Sequence, residues 1–397
     1  MSLLRLLTGV LALAATFLAG IWLGGNPGKL PAELRTLLLD DTAVLSSEAA
    51  SVIESNYFRP VSREELDDAS VAGMVDSIRR RHDDRFSYYF DPVAVEHFDR
   101  AISGSFTGVG LSVVQVPRGL RVGRVFAGTP AEAAGITVSE VVVSVNGRNI
   151  AGIDATRVTN QIKGPEGTAV RLGVAPPDGG RPRQVRLTRS EIRLPPTHAG
   201  LREVDGVKLG YLQLATFSRG AHRYLRSAAR RLQENGAEGI LLDLRANGGG
   251  LLSEGILTAS VFVDEGEVVV STRSRSEGER VYEAVGNNLP PLPMTVLVNQ
   301  DTASAAEILA AALSEDLGAP LVGTQTYGKG VFQKVIDLSN GGALDLTIGE
   351  YLTASGVSLA ERGLVPEVRA EDDPETKVDE AMRRGLQVLG AEVRGGS

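Results

Sequence analysis

Apolar positions fall into four successive patterns along this chain. From Leu6 to Leu23 they run almost unbroken, after Arg5 and before Gly24-Gly-Asn-Pro27. Those 18 residues, at about 1.5 Å each, span roughly 27 Å, just enough to cross a bilayer core. A cleaved signal peptide is the competing reading, but its apolar region usually takes about 7–15 residues before a small-x-small site. Here Ala12-Leu-Ala14 lies inside the run, so an uncleaved anchor fits residues 1–30 better. Either reading places the remainder outside the cytoplasm, with the Arg5 end inside.

From 31 to 103 the spacing is near 3.6, as in Leu34, Leu37, Leu38 and then Val71, Met74, Val75, Ile78. Two or three helices are expected, punctuated by Pro60 and Pro92. Beyond Phe106 the pattern switches to short alternating strands with glycine turns. Leu120–Phe126, Val141–Val145, Ala169–Val174 and Arg183–Leu187 read as strands, and Asn146-Gly147 as a turn. Thr129 with Pro130 opens one short helix, and Ala155–Ile162 forms another. A small domain over 104–192 results. From Leu209 strands and helices alternate: strand Leu209–Phe217, helix Arg219–Asn235, strand Ile240–Leu244, helix Leu251–Phe262, strand Thr295–Val298, helix Ser304–Leu313. This rhythm predicts an α/β core over 193–385, with chemistry at the strand C-termini, and a tail over 386–397.

Composition narrows the chemistry. The 397 residues fit two or three domains, and 43% hydrophobic content is enough for a sizeable core. Cysteine is absent, which excludes disulfides, thiolate metal sites and cysteine nucleophiles. A net charge of −8 argues against nucleic acid as a partner. The four histidines (His82, His97, His198, His222) show no metal-binding spacing. Only six of the 41 basic residues are lysines.

Three segments carry candidate chemistry. In Asn299-Gln-Asp-Thr-Ala-Ser-Ala-Ala-Glu-Ile308, Ser304 and Glu307 have the spacing of a helix capping box. A serine at a strand-to-helix turn also sits beside free backbone N–H groups that stabilise an oxyanion, but it needs a base. His222 lies on an amphipathic helix, where a solvated face is the expected role. Lys329 stands between Gly328 and Gly330. It is either a loop lysine or a desolvated base, a role arginine cannot fill because it stays protonated. Asn247-Gly-Gly-Gly250 is either a plain strand-to-helix turn or a loop whose glycines let N–H groups approach a substrate carbonyl.

Together the segments Leu241–Leu252, Thr302–Ala310 and Gly323–Gly330 resemble the carboxyl-terminal processing (tail-specific) serine proteases, peptidase family S41. The resemblance runs from about residue 45 to 385 and includes Tyr351–Leu359 and Gly363–Val368. It implies a multidomain α+β chain: a helical N-terminal region, a PDZ domain, and a ClpP/crotonase-like α/β core with a β-rich cap. It implies Ser304 as nucleophile, Lys329 as base, and Gln333 as the group that orients the lysine. The oxyanion would be received by Ala305 with Gly249 or Gly250. Gly108, Val109, Gly110 and Leu111 match the PDZ carboxylate loop, alongside the bland reading of a glycine turn opening a strand.

No cofactor or metal is implied. The implied partners are protein substrates with accessible C-terminal tails, the membrane through the N-terminal helix, and a homodimer partner or adaptor. The PDZ domain is expected to bind tails and to gate activity. This chain has Asn247-Gly-Gly-Gly where the family usually has Asn-Pro-Gly-Gly, Ala306 where a serine is common, and Ile136-Thr-Val-Ser-Glu-Val141 without the usual Pro-Gly-Asp turn. Rival readings are a catalytically inactive PDZ scaffold of the cell envelope and a crotonase-like acyl-CoA enzyme.

Overall fold

The computed structural model describes residues 41–193, 195–286, 288–360, 362–373, 375–376 and 378–395. The apolar run at 6–23 lies outside them. Among the described residues no helix is long and apolar enough to cross a membrane.

Two compact units emerge. One comprises residues 41–93 with 334–347. Its helices are Asp41–Asn56 and Arg63–His82. The second begins with a reciprocal cap: Glu65 N–H donates to Ser62 Oγ at 3.2 Å, and Ser62 N–H to the Glu65 carboxylate at 2.8 Å. This satisfies two donors that a helix start otherwise leaves unpaired. Strand Tyr88–Phe90 pairs antiparallel with Ala343–Asp345. Asn340 Nδ2 reaches Asp68 at 3.0 Å and the Tyr89 hydroxyl at 2.7 Å, pinning the returning segment.

The other unit comprises 94–333 and 348–397. Within it, strands Leu111–Val116, Gly119–Val125, Val141–Val145, Ala169–Ala175 and Arg183–Thr188 lie side by side in that order, all antiparallel. Leu120, Val142, Val158 and Leu172 are fully buried between this sheet and helix Ala155–Ile162. The Asn146-Gly147 turn has positive φ at both residues, 50° and 81°, the mirror-image turn that matches strand twist. The turn without Pro-Gly-Asp keeps its shape differently. Ser139 takes a left-handed φ of 73°, and Glu140 accepts from Thr137 N–H at 2.8 Å.

A six-stranded, mostly parallel sheet follows: Thr197–Val204, Val207–Leu214, Gly239–Asp243, Met294–Val298, Leu321–Gly323 and Val368–Arg369. Its central strands are buried on both faces, hence the mostly apolar runs at 239–243 and 294–298, interrupted only by Asp243 and Thr295. Helices Ala221–Glu234 and Ala305–Leu317 pack on one face, and helix Glu380–Gly395 on the other. The last approaches closely at Gly385, where a Cβ would lie 2.7 Å from Leu297 Cδ2. Three strand ends, at Asp243, Val298 and Gly323, feed the loops that carry the glycine cluster, Ser304 and Lys329. Strand Val268–Ser274 pairs with Gly278–Glu283 and with residues 349–352, giving the strand-rich layer above the core.

Candidate active site

Ser304 is the N-cap of helix Ala305–Leu317, with φ 57° and ψ −122°. For a residue with a side chain this is a sparsely populated backbone conformation, costing on the order of 1–3 kcal/mol. Such strain persists only where surrounding contacts enforce it. The enforcing group is Glu307, fully buried one turn into the helix. Its Oε2 accepts from Ser304 N–H at 2.9 Å, the half of the capping box in which the carboxylate reaches back. The same oxygen accepts from Lys329 N–H at 2.9 Å, while Oε1 accepts from Gly328 N–H at 2.8 Å and from Thr326 Oγ1 at 2.5 Å. The backbone nitrogens of Ser304 and Lys329 therefore share one acceptor atom and lie within twice that distance of each other.

The glycines flanking Lys329 have separate reasons. Gly328 has φ 81°, and a Cβ on Gly330 would stand 1.9 Å from the backbone nitrogen of Ala360. Gly330 C=O accepts from Tyr351 N–H at 2.7 Å, and the Tyr351 side chain hydrogen-bonds Ser304. Burial pushes the Tyr351 phenol well above its ordinary value, and the Ser304 contact brings it partly back. Gln333 follows in strand Val331–Asp337, in the same unit as Ser304 and Lys329.

The glycine cluster is placed against the serine. A Cβ on Gly249 would meet Ser304 Cβ at 2.9 Å and Ala305 N at 3.0 Å. Asn247 is fully buried and organises the loop: its Nδ2 donates to Leu214 C=O at 2.8 Å, and its Oδ1 accepts from Gly249 N–H at 2.9 Å. Gly249 N–H is thus engaged inside the loop. The amides of Gly250 and Ala305 have no hydrogen-bond partner among the described residues. Of the two glycines offered from sequence as oxyanion donors, Gly250 is the one whose amide is not engaged within the loop.

Beneath the loop, Asp243 is 1% exposed and receives Arg245 at 2.8 Å and the Tyr211 hydroxyl at 2.9 Å. Arg245 also grips Asp379 at 2.8 Å, just ahead of the C-terminal helix. Burial pushes the Asp379 carboxyl up, but Arg245 outweighs it and holds it below the usual range.

A profile of peptidase family S41 matches residues 208–370, and a PDZ-domain profile matches 97–175. The carboxy-terminal processing protease CtpA of Bacillus subtilis (strain 168) is 33% identical over 82% of this chain and 68% of its own length. The carboxyl-terminal-processing protease of Picosynechococcus sp. is 35% identical over 74% of this chain and 71% of its own. This chain belongs to the carboxyl-terminal processing proteases of family S41. It is a serine-type endopeptidase with a PDZ domain. The solved structure of a Bacteroides fragilis NCTC 9343 protein assigned to the S41 proteases aligns with TM-score 0.54 and 20% identity, over 86% of this chain and 97% of that one, and shows the same fold.

In this processing protease the segment Gly108–Leu111, expected to be the PDZ loop, runs from the end of strand Ser105–Gly108 to the start of the edge strand Leu111–Val116. Val109 is 2% exposed with its side chain in the PDZ core, so only its backbone can serve a ligand. Gly110, φ 88°, leaves no room for a Cβ beside Thr129. Thr129 is the N-cap residue of helix Pro130–Ala133, as its sequence suggests, but its hydroxyl donates to Phe126 C=O at 2.6 Å instead of accepting from the helix. His222 is not a solvated-face residue either. Its Nδ1 bonds the buried Glu254 carboxylate at 2.7 Å, and Glu254 also accepts from Gly220 N–H at 2.7 Å. Tyr351, Asn247 and the second role of Glu307 escaped sequence reasoning. Glu307 alone left a signal, its capping-box spacing.

Proposed function

We propose that Ser304 attacks the carbonyl carbon of a peptide bond near the C-terminus of a protein substrate, with neutral Lys329 taking the hydroxyl proton. Gln333 orients the lysine. The tetrahedral oxyanion is received by the amides of Ala305 and Gly250. Lys329 then gives its proton to the leaving amine, and water, deprotonated by the same lysine, releases the acyl-enzyme. The reading rests above all on one observation: a single oxygen of buried Glu307 holds both the serine and the lysine backbones. The strained backbone of Ser304 beside Gly249 adds to it.

In the same reading the PDZ edge strand Leu111–Val116 adds the substrate tail as a further strand, the loop Gly108–Leu111 receives its carboxylate, and occupancy gates turnover. The apolar run at 6–23 supports tethering to a membrane and action outside the cytoplasm. Exposed Leu45 and Val52 on the first helix, Met74 on the second and Phe58 between the two favour self-association.

The test is turnover of an unstructured protein tail by the full chain and by Ser304→Ala, Lys329→Ala and Lys329→Arg. Each variant should lose at least about a thousandfold in kcat. Lys329→Arg is the sharpest arm, because it keeps the positive charge and abolishes proton acceptance. Turnover by Lys329→Arg at the parent rate would refute the assignment of the base.

A further inference from the structure

A row of arginines lies away from the serine. Arg219, Arg223, Arg226 and Arg230 recur every three or four residues along and just ahead of helix Ala221–Glu234; the three within the helix share one side of it, and Arg219 lines a cleft together with Arg223. This placement works against the helix. Arg219 and Arg223 sit at its N-terminal end, where the macrodipole is already positive, and Arg226 faces a like charge at Arg230 one turn on. The chain has 49 acidic residues against 41 basic ones, so counter-charge is plentiful. Even so, Arg219, Arg223 and Arg230 pair with no carboxylate among the described residues. All three are exposed. Three arginines kept exposed and without a carboxylate, in a row of like charge, are explained by an anion that comes from outside.

The row borders a concavity. Arg223, Arg226 and Arg230 line a cleft of about 860 Å³, with Val285 and Leu289 also lining it. A second cleft of about 380 Å³ shares His222 and Arg223 and continues to Arg219. Concavity favours a single extended chain over a flat anionic surface. Spacing agrees: the row rises about 4.5–6 Å per arginine along the helix, and alternate side chains of an extended peptide recur about every 6.6 Å, a mismatch that arginine's length absorbs. The cleft also touches the catalytic loop's support. His222 in its wall is bonded to Glu254, in the first turn of helix Leu252–Ala259 that follows Gly248–Gly250.

We propose that this cleft is an exosite for an extended acidic segment of the protein substrate, with aspartates or glutamates at alternate positions paired to Arg219, Arg223 and Arg230. That the segment belongs to a substrate rests on the protease reading above; that the cleft binds it does not.

The probe is a fluorescent peptide of about twelve residues with glutamate at alternate positions, amidated at its C-terminus so that no free carboxylate can engage the PDZ loop. Its glutamine counterpart is the control. With the full-length Ser304→Ala protein, the acidic peptide should bind at least about tenfold more tightly than the control and weaken with salt. The double variant Arg223→Gln, Arg230→Gln should lose about tenfold in affinity with no loss of melting temperature, since it relieves like-charge repulsion.

With the serine restored, the parent should prefer an unstructured substrate carrying an acidic segment over a neutral one. The double variant should lose that preference through KM rather than kcat. Equal binding of both peptides, or unchanged affinity in the double variant, overturns the proposal. So does arginine-dependent capture of phosphatidylglycerol vesicles without peptide binding, which makes the row a membrane contact. Peptide binding by a protein that cleaves nothing leaves the exosite standing and refutes the protease reading instead.

Discussion

Two buried carboxylates flank the glycine loop, and they are compensated in opposite ways. Glu307 is satisfied by three backbone N–H groups and one hydroxyl, with no cation bonded to it in the described contacts. Asp243 is satisfied by a guanidinium that it shares with Asp379 and Asp372. The difference follows function. Dipoles that belong to the serine and lysine backbones fix those residues' positions without bringing a second mobile cation beside Lys329, which works neutral in the mechanism we propose. Under the loop, where only support is needed, an ion pair serves.

The widest break in the comparison comes from Arg245→Ala, which leaves Asp243 charged and buried. It should cost about 3–5 kcal/mol in denaturant unfolding. It should also flatten the acid limb of stability. Asp379 is held below the ordinary aspartate value, so its contribution is complete above about pH 4 and is lost as the pH falls through the lowered value. Unchanged acid unfolding in the variant would contradict the role given to Arg245.

Glu307→Gln tests the dipolar partner. One accepting oxygen becomes an NH2 facing N–H donors, so stability should fall by about 2–3 kcal/mol, and activity should fall with it because the Ser304 and Lys329 backbones part. Ser304→Gly and Ser304→Ala sharpen the strain argument. Both remove the hydroxyl, but only glycine relaxes φ 57°, so the glycine variant should be about 1 kcal/mol more stable than the alanine one.

The smallest effect belongs to Asp316, near the end of the serine helix, which has neither compensation. Its Oδ2 has no hydrogen-bond partner among the described residues, and burial, then Glu267 and Glu315, push its carboxyl up to about 6. An acid raised by folding destabilises the folded chain when ionised, fully above about pH 6. Asp316→Asn should therefore stabilise at pH 7 by about 1 kcal/mol or less, after solvent screening, and the gain should vanish by about pH 4. A gain that persists at low pH would refute the electrostatic cause.

Local patterning foretold much of this. Helix Ala155–Ile162 and strand Val141–Val145 have the bounds their residues suggested, because amphipathic spacing and the Asn146-Gly147 turn are local signals. Ser304 and Lys329 were legible as motifs. Their coupling was not, since it runs through a carboxylate that also accepts from residues 19, 21 and 22 positions later. Tyr351 was hidden for the same reason: only the close passage of its strand by Gly330 brings its hydroxyl to the serine. His222 was misread because its partner, Glu254, lies 32 positions away.

The grip of Arg245 on Asp379 has a consequence for the order in which the protease is made. Residues 245–250, 304 and 329 leave the ribosome well before Asp379 and the helix Glu380–Gly395, whose Leu389 and Val393 seat against Leu209 and Leu241. A growing chain thus displays its serine and lysine before the counter-charge and apolar seat under the glycine loop exist. Synthesis itself delays the support of the glycine loop until helix Glu380–Gly395 has emerged.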